Sequence, residues 1–322
     1  MRDWRFWGLA LLCLIGGLVA VGRTFELSSE ARDAILYPPP GKFVGVGDRR
    51  RLHIFCRGDA AGPTVVMIAG GGTPAVVSYE LQGKIARFAR VCSYDRPGLG
   101  WSPPAQRPLT FDEHAADLEA LLHNAGVRGP YLLAPESFGG LIAIAYARAH
   151  PQETAGIVFL DGVDPRLWFS ALPEQAGWDA DVKTALIGAA QRVGIVRLAF
   201  GSLAPPWLKT APTSVQSAVR AIYSRPAAGF DEALQAYRRS APEHRPVLTP
   251  LMLADRPVIA VEHGRTTAAL SSAFERGWAA SQRRLAGASR IGRIVIVSAA
   301  DHEVAQEAPD LAAEQVREAS RR

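Results

Sequence analysis

The chain has only three cysteines, too few for a scaffold held together by disulfides. Cys13 lies in an apolar run at the start, which leaves Cys56 and Cys92 as an even pair in the folded part. An oxidising compartment would permit a bond between them. Lysine is also scarce. Nearly all basic residues are arginine, and they are scattered along the chain rather than gathered in a stripe. A net charge of +5 without a stripe lacks the electrostatic footprint of a nucleic-acid partner. There is no internal repeat and no low-complexity tract. No metal-ligand cluster and no nucleotide-binding loop is evident, so no cofactor or metal is expected.

What is present is enough chain, 322 residues, for one large α/β domain with an insertion or for two small domains. The first residues are a different material. Met1 to Arg5 is weighted positive, Phe6 to Gly22 carries no charge, and Arg23 ends the run. Such a run at a chain start reads as an export signal or a single membrane anchor. Ala20-Val21-Gly22 offers a small-residue cleavage site, whereas Trp4 and Trp7 at the leading edge favour a retained anchor. Arg2 and Arg5 then stay in the cytoplasm and the bulk of the chain lies outside it. If the segment is cleaved, the protein is secreted instead. Residues 1–23 form this segment, and 24–40, closing on Pro38-Pro39-Pro40, read as a spacer.

From Gly41 onward, strand-like and helix-like patterns alternate. Phe43 to Val46 and Arg51 to Cys56 read as two short strands around a Gly47-Asp48 turn. Thr64 to Ala69 is a continuous apolar run, as expected of a strand buried on both faces. Thr110 and Glu113 have the spacing of a capping box and predict a helix through Leu122. Further buried strands are read at Val91 to Tyr94, Gly156 to Leu160, Val258 to Val261 and Ile294 to Val297, with helices around Ala268 to Leu285 and at the end. The alternation lapses between 165 and 250, where Trp168, Phe169, Trp178, Phe200, Trp207, Tyr223 and Phe230 fall among helical patterns. Alternating strands and helices imply a mostly parallel sheet covered on both faces.

Leu132 to Gly140 is the centre of this pattern: an apolar run that ends at Ser137, then glycines, then the apolar helix Leu141 to Ala147. A strand turning sharply into a helix with serine at the tip is a nucleophile elbow. Four other marks fall in order. Gly70-Gly71-Gly72 follows the third strand, and Tyr94 to Ser102 follows the fourth. Asp161 follows the sixth strand, and His302 the last. In these features the chain resembles the α/β-hydrolase family from about Gly41 to its end. The resemblance implies a mostly parallel eight-stranded sheet with helices on both faces. It divides the chain into a core of 41–164 and 251–322 and a helical lid of 165–250. It also implies that the second and fourth strands are neighbours, which suggests a Cys56–Cys92 disulfide.

The chemistry implied is that of a serine hydrolase. A serine hydroxyl needs a base within hydrogen-bond reach and a third group to orient that base. Ser137 is the candidate nucleophile and His302 the candidate base, with His263 its rival. Asp161 is the first choice of acid, as in relatives that carry it after this strand; Asp164 is second and Glu262 third. The backbone N–H groups of Phe138 and Gly71 are the candidate oxyanion donors. Asp95 and Arg96 are assigned to structure. The aromatic residues of the lid suggest an apolar pocket for a small ester, thioester or amide.

Two departures from Gly-x-Ser-x-Gly stand beside this reading. Pro135 takes the place of the first glycine and removes an N–H. Glu136, a possible substrate contact, puts a carboxyl beside the nucleophile; burial would raise its pKa, and it would be placed to compete for His302. Both favour the alternative of a catalytically inactive binding protein of the same fold. Oligomeric state and natural substrate are not legible.

Overall fold

The computed structural model describes residues 3–175, 178–225, 232–265 and 272–322. The chain opens with α1 (Asp3–Leu36), a single helix of 34 residues. By length and composition, its stretch from Phe6 is apolar enough to cross a membrane. Residues 24–36, which read as spacer, continue the helix without a break.

Next come β1 (Lys42–Gly47), β2 (Arg50–Arg57), β3 (Thr64–Ile68), α2 (Tyr79–Ile85) and β4 (Val91–Tyr94). They are followed by α3 (Phe111–Asn124), β5 (Tyr131–Pro135), α4 (Gly139–Ala149), β6 (Thr154–Leu160) and α5 (Pro165–Gln175). The β1–β2 hairpin turns on Asp48 and Arg49, both at positive φ, as a two-residue turn with the twist of its strands requires. The capping box of α3 is formed: Thr110 Oγ1 accepts from Glu113 N–H, and the Glu113 carboxylate accepts from Thr110 N–H.

A helical stretch follows: α6 (Trp178–Arg192), α7 (Ile195–Leu203), α8 (Pro206–Thr210), α9 (Thr213–Ser224) and α10 (Glu232–Arg239). The chain closes with β7 (Val258–His263), α11 (Ser272–Ala286), β8 (Arg293–Val297), α12 (Val304–Glu307) and α13 (Pro309–Ser320). The expected start of α11 near Ala268, and Phe230, lie outside the described residues.

The strands form one sheet in the order β1-β2-β4-β3-β5-β6-β7-β8. β2 runs antiparallel to β1 and β4; every other pairing is parallel. Cys56 faces Cys92 across the β2–β4 ladder, and the two are joined as a disulfide. Alternation along each central strand fills both faces. Val66, Ile68, Leu133, Ile157 and Phe159 pack on the side of α3 and α4. Val65, Met67, Leu132, Ala134, Val158 and Leu160 pack on the side of α2 and α13. Burying a sheet on both faces makes its strands continuously apolar, as the fully buried run of β5 shows. The order reverses between β3 and β5, a place where the loops after two neighbouring strands diverge and open a crevice.

The chain forms two compact units. One comprises Pro39–Gly177 and Ala228–Arg322 and contains the sheet; the other comprises Met1–Pro38 and Trp178–Ala227. The segment 165–250 thus does not hold together as one insertion. α5 and the residues after Ala228 go with the sheet, while α6 to α9 go with α1. Their bond is polar as well as apolar. Arg197 on α7 donates to both oxygens of the buried Glu26 at 2.6 and 2.9 Å and to Asp33 at 2.6 Å. These partners explain why a segment with the composition of a spacer is helical.

Candidate active site

β5 ends at Pro135, and α4 begins four residues later. Ser137, at the tip of the bend, has φ of 48°, a strained value for a residue with a Cβ. The bend is tied on both sides. Glu136 N–H donates to Ile68 O of β3, and Ser137 N–H donates to Leu160 O of β6. Gly139 is required, because a Cβ there would stand 2.3 Å from Ile68 O. Pro135 costs little at its position. The β5–β6 ladder registers through Leu133 and resumes only at the bridge between Glu136 and Leu160, so the missing N–H falls in a gap.

Three side chains from separate strand ends meet at this bend. His302, after β8, lies with Nε2 2.9 Å from Ser137 Oγ and Nδ1 2.6 Å from Asp161 Oδ2. Asp161, directly after β6, is fully buried. Its Oδ1 also accepts from Trp278 Nε1 at 2.8 Å and from His263 N–H at 3.2 Å. Its Oδ2 accepts from His263 Nδ1 at 2.7 Å. Burial pushes the Asp161 carboxyl up, but the hydrogen bonds from the two histidines outweigh it and hold the carboxyl below its usual range. For His302, burial lowers the imidazole pKa, but the Asp161 hydrogen bond and charge outweigh it, and the net direction is up.

His263 does not reach Ser137 as a second base. It sits behind Asp161, with its other nitrogen 3.1 Å from Glu275 Oε2. A carboxylate only accepts, so both ring nitrogens must carry protons. The hydrogen bond to Asp161 pushes the His263 pKa up to about 9. This second imidazole on the acid, with Trp278 and Glu275, was not legible beyond the position of His263 at a strand end. Ligand atoms of Asp161, His263 and His302 lie within 4.8 Å of one another, close enough for one ion. However, each Nδ1 is engaged on Asp161, and the other nitrogens face Ser137 and Glu275. The donor set is arranged as a hydrogen-bond chain rather than a ligand set.

The other candidates fall elsewhere. Asp164 caps α5 through the N–H groups of Arg166 and Leu167 and binds Arg284 at 2.5 Å. Glu262 neighbours His263 on β7, and strand alternation turns it to the opposite side. Glu136 continues the row of Leu132 and Ala134 toward α2 and α13. Its carboxyl accepts from Gln306 Nε2 at 3.3 Å, not from His302. Burial pushes its pKa up to about 7. It lines a cavity of about 10 Å³ with Ser78, Ser93 and Ala134, room for about one water.

Phe138 N–H and Gly71 N–H donate to no protein acceptor among the described residues. Arg96 sets the loop that carries Gly71. Buried at 1 % exposure, it donates to Ala69 O and Gly70 O at 2.6 Å each, and its guanidinium lies 5.4 Å from the Phe138 ring centre. Asp95 holds the neighbouring turns, accepting from Ala75 N–H at 2.7 Å and His53 Nδ1 at 2.8 Å. Asp95 and Arg96 thus brace the loops beside the bend, in keeping with a structural role.

Residues 63–227 match the family model for the alpha/beta hydrolase fold, and the chain belongs to that family. Among curated relatives, lipase LipV of Mycobacterium tuberculosis is 41% identical over 110 residues, 34% of this chain and 41% of that protein. The chain spans about half the length, or less, of the curated relatives it matches. Among solved structures, the enol-lactonase of Burkholderia xenovorans LB400 superposes with a TM-score of 0.60 at 17% identity. That match covers 87% of this chain and 100% of the lactonase. A membrane phospholipase A described as a bacterial virulence factor gives 0.61 at 20% identity, over 99% of this chain and 98% of that one. Likeness at such identity speaks for the fold.

Proposed function

We propose that the protein is a membrane-anchored serine hydrolase that cleaves a carboxylic ester, thioester or amide of a small, partly apolar molecule. The observation that carries the reading is the unbroken chain of hydrogen bonds from Ser137 Oγ through His302 to Asp161. His302 Nε2 takes the Ser137 proton as Oγ attacks the carbonyl carbon. Asp161 stabilises the imidazolium that results, and it is itself kept ionised by its four donors. The oxyanion is received by the N–H groups of Phe138 and Gly71. His302 then returns the proton to the leaving group, an acyl-enzyme forms on Ser137, and water activated by the same imidazole releases the acid.

Support for the anchor comes from the apolar stretch of α1 and from the Cys56–Cys92 disulfide, which suits an oxidising compartment. Arg2 and Arg5 then stay on the cytoplasmic side. The esterase, lipase and lactonase names among the relatives agree with ester chemistry. Nothing in the elbow favours an inactive binding protein. Pro135 falls in a ladder gap, and Glu136 hydrogen-bonds Gln306 while its charge favours the protonated form of His302 without occupying either ring nitrogen.

Turnover of a short-chain p-nitrophenyl ester by the detergent-solubilised full chain tests the assignment. Ser137→Ala and Asp161→Asn each lower kcat by roughly 10³-fold or more, while Asp164→Asn leaves it within a few-fold. Equal losses at Asp161 and Asp164, or an active Ser137→Ala, would overturn it.

A further inference from the structure

In the unit that contains α1, α6 and α7 meet in a sharp corner, with 108° between Asp181–Arg192 and Ile195–Leu203. The corner is built against α1. A Cβ on Gly22 would stand 2.7 Å from Val193 O, and one on Gly194 would stand 2.7 Å from the Phe25 ring. Gly22 is the last residue of the uncharged run of α1. That run, Phe6 to Gly22, rises about 26 Å at 1.5 Å per residue, close to the thickness of a bilayer's hydrocarbon core. A spanning α1 therefore holds the corner at the level of the headgroups. The ion pairs of Arg197 with Glu26 and Asp33 fix α7 along the next turns of α1, so the corner is held there rigidly.

The surface at this level is unusual for one facing water alone. Leu186 on α6 and Ile195, Leu198 and Leu203 on α7 are 56 to 75% exposed. After the exposed Asp181 of α6, residues 182–230 contain no aspartate or glutamate but six lysines and arginines. A water-facing surface ordinarily mixes both signs. Beside Leu198, a cleft of about 460 Å³ is lined by Phe200, Lys209, Thr213, Ser217 and Arg220. Apolar residues flanked by an excess of basic ones are the pattern of an interfacial helix on anionic lipid.

We infer that the α6–α7 corner is a membrane-docking surface that embeds its exposed leucines and isoleucine among anionic phospholipid headgroups beside the anchor. The inference rests on the reading of α1 as a membrane anchor. Its consequence is that this unit is a fixed interfacial platform rather than a soluble appendage on a tether.

The test uses the full chain, with Cys13→Ser, reconstituted in vesicles of phosphatidylcholine with and without phosphatidylglycerol. Single cysteines at Leu18→Cys, Leu186→Cys and Leu198→Cys carry the fluorophore NBD. The expected result has three parts. The Leu18 label is quenched by deep doxyl lipid. The labels at 186 and 198 are blue-shifted, quenched by shallow doxyl lipid and shielded from iodide. That shallow quenching is stronger with phosphatidylglycerol and weakened by Lys209→Glu with Arg220→Glu. If only the Leu18 label is quenched while 186 and 198 stay open to iodide, docking is wrong and the anchor stands. If the Leu18 label is not quenched either, the anchor reading fails and docking falls with it. Shielding from iodide without quenching by lipid would assign the face to a second copy of the chain, and the proposal would be overturned.

Discussion

Glu136 shows how one side chain is read differently by pattern and by place. A carboxyl next to the nucleophile invites a role in the chemistry, yet its row on β5 directs it into the face covered by α2 and α13. Burial there raises its pKa to about 7, against about 4.3 for a free side chain. The sign follows from linkage. Below the unfolded value both states are protonated, and ionisation adds nothing to the stability difference. As pH rises to about 7 the unfolded chain sheds a proton that the folded one keeps, so stability falls by at most about 4 kcal/mol. Denaturant titrations should find Glu136→Gln gaining on the parent between about pH 4.5 and 7 and holding a constant gap above. A gap that does not change with pH would contradict the burial argument. The sequence singled out Ser137, Asp161 and His302 because each lies soon after an apolar strand, Asp161 directly and His302 after a four-residue loop. The second imidazole on Asp161 was not legible, because Glu275 and Trp278 reach it from a helix whose facing cannot be read from β7.

Among the elements, strands were easier to read than the long helix. β3 to β6 are buried on both faces and so appear as uninterrupted apolar runs. α1 beyond Arg23 has the polar composition of a linker; its partner, Arg197, lies 171 residues from Glu26. Such a buried ion triad is costly to break from one side. Arg197→Met should strand Glu26 and Asp33 and destabilise the α1–α7 packing by roughly 3 kcal/mol. Hydrogen exchange should show faster exchange at residues 23–36 and 195–203 with the sheet unchanged, and Glu26→Leu added to Arg197→Met should recover part of the loss. Unchanged protection in 23–36 would mean that the apolar contacts at Gly22 and Gly194 suffice.

At the scale of the molecule, the sheet brings together groups from distant stretches of chain. Its order reverses at β3 and β5, so the loop with Gly71 and the bend with Ser137 follow neighbouring strands, while Asp161 follows β6 and His302 follows β8. The order of strands and loops was readable because each element follows the family's sequence of marks. The division of 165–250 between two units was not, since it depends on α6 to α9 packing with a helix from the opposite end of the chain. The proposed chemistry turns on His302 taking the proton of Ser137. The direct measurement is peptide mapping by mass spectrometry after reaction with a fluorophosphonate, followed over a range of pH. One adduct is expected, on Ser137, forming faster as pH rises past the raised pKa of His302, and lost in His302→Ala. An adduct on another residue, or one on Ser137 that forms as fast without His302, would contradict it.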